Sequence, residues 1–125
     1  MNQYQIYHNP QCSKSRAALS WLNERGITPQ VIEYLNEPLS APVIRDLLMK
    51  LGLKARDILR DSEAEYATLR LGDSQKKESE IIAAIVAHPI LLQRPIVVRD
   101  HRAVVARPTE KLTELLSVRV TPKPC

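Results

Sequence analysis

The sequence has no phenylalanine, one tryptophan, three glycines and only two cysteines. With aromatics at 4%, the core has to be built mainly from Leu, Ile, Val and Ala. Two cysteines, Cys12 and Cys125, exclude a disulfide framework. Together with the scattered His8, His88 and His101 they give no cluster of metal-ligand spacing, so no metal site is expected. A long apolar run is also missing. The strongest one, Ile81 to Ala87, is far too short to span a bilayer, so no membrane association is expected. Met1-Asn2-Gln3-Tyr4 lacks the basic-then-apolar character of a secretory signal, and the expected location is cytoplasmic, where thiols stay reduced. No repeat or low-complexity stretch is visible.

What is present suits a soluble globular chain. Hydrophobic residues make up 44% and charged residues 26%, an ordinary balance. A length of 125 residues allows one domain with one core. The net charge of +4 is modest and spread along the chain. It fits an anionic small molecule better than a nucleic-acid footprint, so no nucleic-acid partner is expected.

The hydrophobic pattern predicts a strand over about Gln3 to His8 and a helix over Ser13 to Glu24 that stops at Gly26. A β-branched and aromatic run, Pro29 to Leu35, reads as a second strand, parallel to the first through a right-handed crossover. Ser40 is a good N-cap, Pro42 fits a first turn, and Ile44, Leu47, Leu48 and Leu51 recur at helical spacing up to Gly52. A shorter helix over Lys54 to Leu59, another near Glu63 to Leu69, and one around Ile81 to Val86 ended by His88-Pro89 complete a helical block. Pro95 to Val98 reads as a strand, Arg99 to Arg102 as a polar turn, and Ala103 to Ala106 as an antiparallel return. Arg107-Pro108 opens a last helix, with Pro near its first position. The resulting order is β-α-β, helical block, β-β-α. That is an α/β, thioredoxin-like plan: a mixed four-stranded sheet with a helical insertion of about 39–89 in a domain of 1–117, and a loose tail at 118–125. In this plan the first strand-to-helix loop lies beside Pro95, which suggests a cis Arg94-Pro95 bond.

The chemistry concentrates in that loop, His8-Asn9-Pro10-Gln11-Cys12-Ser13-Lys14-Ser15-Arg16. Asn9-Pro10 marks a turn, which puts Cys12 at the mouth of a helix N-terminus. Unpartnered N–H groups and the helix dipole stabilise a thiolate there, and Ser13 or Ser15 can cap the helix or donate to the sulfur. A free cysteine is often only a small buried hydrophobe, but this one sits in a polar loop with Lys14 and Arg16 beside it. A redox Cys-x-x-Cys is excluded because Ser15 stands at its second position, and a phosphatase-type loop is excluded because Ala18 stands where its arginine belongs. Arg94 and Arg107 each precede a proline at the start of an element. Both ends should face the Cys12 loop in this topology. Arginine forks suit a tetrahedral oxyanion.

Several stretches carry a family resemblance across nearly the whole chain: Ile6-Tyr7-His8-Asn9-Pro10-Gln11-Cys12 with Ser15-Arg16, the run His88 to Val98, Arg107-Pro108, and Leu59-Arg60. With these the sequence resembles the glutathione- and glutaredoxin-coupled arsenate reductases, the ArsC family, whose regulatory relatives are the Spx proteins. The resemblance implies a thioredoxin-like fold with Pro95 as a cis-proline and Cys12 as nucleophile. His8 and Ser15 would tune the thiolate, Arg60, Arg94 and Arg107 would bind the oxyanion, and Arg16 matches without an assigned role. It also implies arsenate as substrate, glutathione as co-substrate, glutaredoxin as partner, and no tightly bound cofactor. Cys12-Ser13-Lys14-Ser15-Arg16 departs from the Cys-Gly-Thr-Ser-Arg of the best-known members, and looks like a separate branch. Two other readings stay open. One is a glutathione-dependent thiol/disulfide oxidoreductase. The other is an Spx-like regulator contacting RNA polymerase, although Ser15 breaks the Cys-x-x-Cys switch typical of those proteins. Cys125 reads either as a resolving thiol or as a terminal surface thiol.

Overall fold

The computed structural model describes residues 3–37 and 39–116. Its contacts divide into two compact units, Met1–Glu33 with Arg94–Cys125, and Tyr34–Gln93. The tail at 118–125, with Cys125, lies outside the described residues.

The first unit holds one four-stranded sheet in the order β2-β1-β3-β4. β1 (Tyr4–Tyr7) leads through the Cys12 loop into α1 (Ser13–Glu24) and back to β2 (Gln30–Ile32). β1 and β2 are parallel, with Ile6 opposite Val31. β3 (Ile96–Arg99) runs antiparallel to β1, and β4 (Arg102–Val105) antiparallel to β3. This is the thioredoxin-like plan. The expected second strand, Pro29 to Leu35, shrinks to three residues. Among the described residues its one partner is β1, which ends at Tyr7, so the ladder stops at Ile32.

α1 begins and ends where its spacing predicts, and Gly26 takes the left-handed conformation (φ 77°) just past it. Its inner face presents Ala18 and Leu22. These pack in one cluster with Ile6, Val97, Ala106, Leu112 and Leu115, all close to fully buried. No phenylalanine is needed, because aliphatic side chains from sheet and helix interdigitate directly. This cluster fixes α1 against the sheet and so sets the height of its N-terminus.

Two expectations at the end of this unit are corrected. Arg99 is not in a polar turn. It ends β3, is 6% exposed, and donates from Nη1 to the Leu115 carbonyl at 2.7 Å, with its guanidinium 5.5 Å from the Tyr4 ring. The aliphatic stem packs inside while the head satisfies a helix-end carbonyl. The turn proper is Asp100-His101, with Asp100 at φ 56° and its carboxylate accepting from Gln3 N–H at 3.0 Å. The last helix does not start at Pro108, which is extended and caps a 3-10 turn, Thr109–Leu112, that passes into α5 (Thr113–Leu116). Both Arg94-Pro95 and Arg107-Pro108 are cis, and only the first was expected.

The second unit is helical. α2 (Ala41–Leu51) is capped by the Ser40 hydroxyl, which accepts from Val43 N–H, and it ends at Gly52 in the left-handed conformation. Ile44, Leu47 and Leu48 form its buried stripe, and Leu51 is only half-buried. The segment expected as a helix over Lys54 to Leu59 is a 3-10 turn, Ala55–Ile58, because Leu59 is extended to form a bridge with Leu92. α3 (Ala64–Thr68) and α4 (Glu78–Ala87) follow, and His88 closes α4. At the start of α4 the Glu80 carboxylate reaches back to Lys77 N–H at 2.8 Å. No helix among the described residues is long and apolar enough to cross a membrane.

Candidate active site

The loop between β1 and α1 is held by its own backbone and by α1. The β1–β2 ladder runs one bond past Tyr7, with His8 N–H donating to the Ile32 carbonyl at 2.9 Å. Asn9 then makes the turn. Its side-chain oxygen accepts from Gln11 N–H at 3.0 Å, and its carbonyl accepts from Cys12 N–H at 3.0 Å. An Asn before Pro supplies that local pairing. It marked a turn in the sequence, but not that the side chain would be buried (6% exposed) and hold the loop.

Cys12 is the N-cap of α1, with extended backbone (φ −98°, ψ 122°). Its carbonyl accepts the first helical bond, from Arg16 N–H at 3.0 Å. The sulfur is half-buried, and burial alone pushes the thiol pKa up. That is outweighed by the favourable influence of the Ser15 N–H, the Arg94 guanidinium and the Lys14 N–H on the thiolate, so Cys12 is held below the ordinary thiol range. At Ser15 it is the backbone N–H that lowers the thiol pKa. Its hydroxyl points into the loop, 2.7 Å from His8 Nδ1 and 3.0 Å from Asn9 N–H.

His8 and Ser15 are both buried. His8 has its pKa lowered chiefly by burial, with Glu33 pulling it up and Arg16 pushing it down. A neutral ring protonated on Nε2 accepts at Nδ1 from the Ser15 hydroxyl, while Ser15 Oγ accepts from Asn9 N–H. The donor and one acceptor site of that hydroxyl are therefore oriented by the loop.

Arg94 approaches from the residue before cis-Pro95, and the Arg107 guanidinium donates to the Arg94 carbonyl at 3.2 Å. The fold thus gathers His8, Cys12, Ser15, Arg94 and Arg107 within its first unit. Arg60 belongs to the second unit. Its N–H donates to the Leu91 carbonyl at 2.7 Å, and its Nε pairs with Glu63 at 3.1 Å. Arg16 is exposed and spans the loop, donating from Nη1 to the Pro10 carbonyl at 2.8 Å. Lys14 also has an exposed side chain and contributes its backbone N–H. Among the described residues, no group of three or more His, Cys, Asp or Glu side chains is placed to hold a metal. A lowered thiol facing a guanidinium can attack an electrophile that carries negative oxygens.

The chain is similar to known proteins along most of its length. The arsenate reductase of Neisseria meningitidis serogroup A is 43% identical over 117 residues, which is 93% of this chain and all of that one. The uncharacterized protein YfgD of Escherichia coli (strain K12) is 45% identical, covering 91% of this chain and 97% of its own. The solved structure of the arsenate reductase from Vibrio cholerae superposes with a TM-score of 0.87 at 44% identity, covering 90% of this chain and 96% of that one. Residues 7–115 match the ArsC family, a span that takes in the Cys12 loop and every arginine considered above, and the chain belongs to that family.

Proposed function

We propose that this protein is an oxidoreductase that reduces arsenate to arsenite in the cytoplasm, with glutathione and glutaredoxin supplying the electrons. The observation that carries the reading is the place of Cys12 as N-cap of α1, with the Ser15 and Lys14 N–H groups and the Arg94 guanidinium acting together to lower its pKa. The names of several close relatives support arsenate as the substrate.

In this reading the Cys12 thiolate attacks arsenic(V), and a sulfur–arsenic bond forms as water leaves. Arg94 and Arg107, with Arg60 assigned by family resemblance, neutralise the oxyanion charge, for which planar guanidinium forks are suited. His8 and Ser15 hold the loop that presents the thiolate. Glutathione then adds to arsenic with loss of a second water, giving a Cys12–arsenic–glutathione species. Attack of a further thiol on the glutathione sulfur forms a disulfide and leaves two electrons on arsenic. A water then adds to arsenic(III) and breaks the Cys12–arsenic bond, so arsenite departs and the Cys12 thiol is restored. Cys12 has no thiol partner at position 15, so a resolving thiol is borrowed from glutathione and glutaredoxin.

The test is arsenate-dependent NADPH oxidation with glutathione, glutaredoxin and glutathione reductase, for wild type and Cys12→Ser. The expected result is turnover that vanishes in the variant. A folded wild type with no arsenate turnover that instead reduces a glutathione mixed disulfide would overturn the assignment in favour of a thiol/disulfide oxidoreductase.

A further inference from the structure

Arg16 has no place in the chemistry derived so far, yet it is tied to the reactive loop at two points. Its backbone N–H donates to the Cys12 carbonyl at 3.0 Å, and its guanidinium crosses to the Pro10 carbonyl at 2.8 Å. The first is the opening helical bond, on the cysteine itself, and the second is made by the side chain, two residues before it. Arg16 also lines a shallow groove with His8 and Pro10 along the outer face of α1.

We propose that Arg16 is a positioning residue: by clamping the Pro10 carbonyl it holds the Cys12 loop in the shape in which Lys14 N–H, Ser15 N–H and Arg94 converge on the sulfur. This role of Arg16 rests on the reductase reading only for its turnover readout. The loop's other tethers come from the interior, through Ser15 and Asn9. Arg16 supplies the outer one, and Pro10, lacking an N–H, has only its carbonyl to be held by. A charged donor on a carbonyl makes one of the stronger single hydrogen bonds, and small misplacements of a reacting group are costly. The same guanidinium, opposed by Glu33, acts on the charge of His8. Glu33 and Arg16 are the charged groups that act on His8, and the thiolate is influenced by Arg94 and by the backbone of Lys14 and Ser15.

Three variants separate clamp from charge. Arg16→Ala removes both, Arg16→Gln keeps a donor without charge, and Arg16→Lys keeps charge and one donor. Cys12 reactivity is read as the pH midpoint of alkylation by iodoacetamide, and His8 ionisation by NMR. Neither measurement needs arsenate, so failure of the reductase reading leaves them intact. Arg16→Ala is expected to raise the Cys12 midpoint and to lower kcat roughly tenfold to a hundredfold with KM for arsenate within about twofold. Arg16→Lys restores most of the Cys12 midpoint. The His8 midpoint rises in Arg16→Ala and Arg16→Gln but not in Arg16→Lys. An unchanged Cys12 midpoint in Arg16→Ala and Arg16→Gln overturns the clamp. A raised arsenate KM at constant kcat overturns it in favour of direct oxyanion binding. If Arg16→Ala does not fold, the Gln and Lys variants decide by the same midpoints.

Discussion

The Ser15 hydroxyl lies 2.7 Å from His8 Nδ1, inside the first turn of α1 and out of contact with solvent. The pair joins the end of β1 to the start of α1, on either side of the reactive cysteine, and its loss is felt at both ends. Ser15→Ala leaves Asn9 N–H and His8 Nδ1 without a partner in a buried setting. It is expected to cost about 1–3 kcal/mol of stability, read as a lowered urea midpoint, and to slow Cys12 alkylation. Ser15→Thr, which keeps the hydroxyl, should recover part of the alkylation rate. Equal urea midpoints for wild type and Ser15→Ala would show that this bond contributes nothing to holding the loop.

Cys12 should titrate below the free-thiol value of about 8.5. The sign follows from the lowered pKa: the unfolded chain binds the proton more tightly, so stability from this group is present above the unfolded pKa. It is lost as pH falls through the folded value. Thiolate absorbance at 240 nm, taken as the difference between wild type and Cys12→Ser so that Cys125 cancels, gives the midpoint. Arg94→Ala removes a hydrogen bond and a charge from the sulfur and should move the midpoint upward. A midpoint at the free-thiol value in the wild type would remove the basis for a reactive Cys12.

His8 behaves in the same sense for a different reason. Burial disfavours its protonated form, so below its ordinary value near 6.5 the unfolded chain takes up a proton that the folded chain resists. Stability is expected to fall as pH drops from neutrality through 6.5, until the folded midpoint is reached. Thermal unfolding of wild type and His8→Gln across that range checks it. The slope should flatten in the variant, and parallel curves would assign the pH dependence elsewhere.

Arg107 and Arg94 should differ in what they cost. Arg94 touches the sulfur, whereas Arg107 donates to the Arg94 carbonyl. Arg107→Ala is expected to raise the arsenate KM roughly tenfold while leaving the Cys12 midpoint near wild type. Arg94→Ala should change both. Arg60→Ala tests the remaining oxyanion assignment by the same KM measurement.

Arg99→Met probes the buried arginine at the end of β3. Replacement keeps the apolar stem and deletes the donor to the Leu115 carbonyl, with an expected loss of about 1.5–3 kcal/mol. Circular dichroism melting should show a lower Tm with Cys12 reactivity unchanged. A Tm equal to wild type would mean that the carbonyl finds another partner.

Much of this protein is written locally. The ends of α1, the Ser40 cap, the Gly52 stop and the strand at Pro95 follow from side-chain period and from capping and turn chemistry, which act over a few residues. So does the position of Cys12 at a helix mouth. The thioredoxin-like order follows from element sequence and the handedness of the crossover. What could not be read locally depends on partners distant in the chain. β2 stops at Ile32 because β1 ends opposite it, and Leu59 is extended because Leu92 pairs with it. Arg99 is buried because the carbonyl of Leu115 lies within its reach. In the Cys12 loop the residue types announced a reactive thiol, but only the folded backbone decided which groups serve the sulfur. Ser15 contributes its N–H there and keeps its hydroxyl for His8, since a helix N-terminus aims its N–H groups outward while the side chain three residues along turns in beneath the loop.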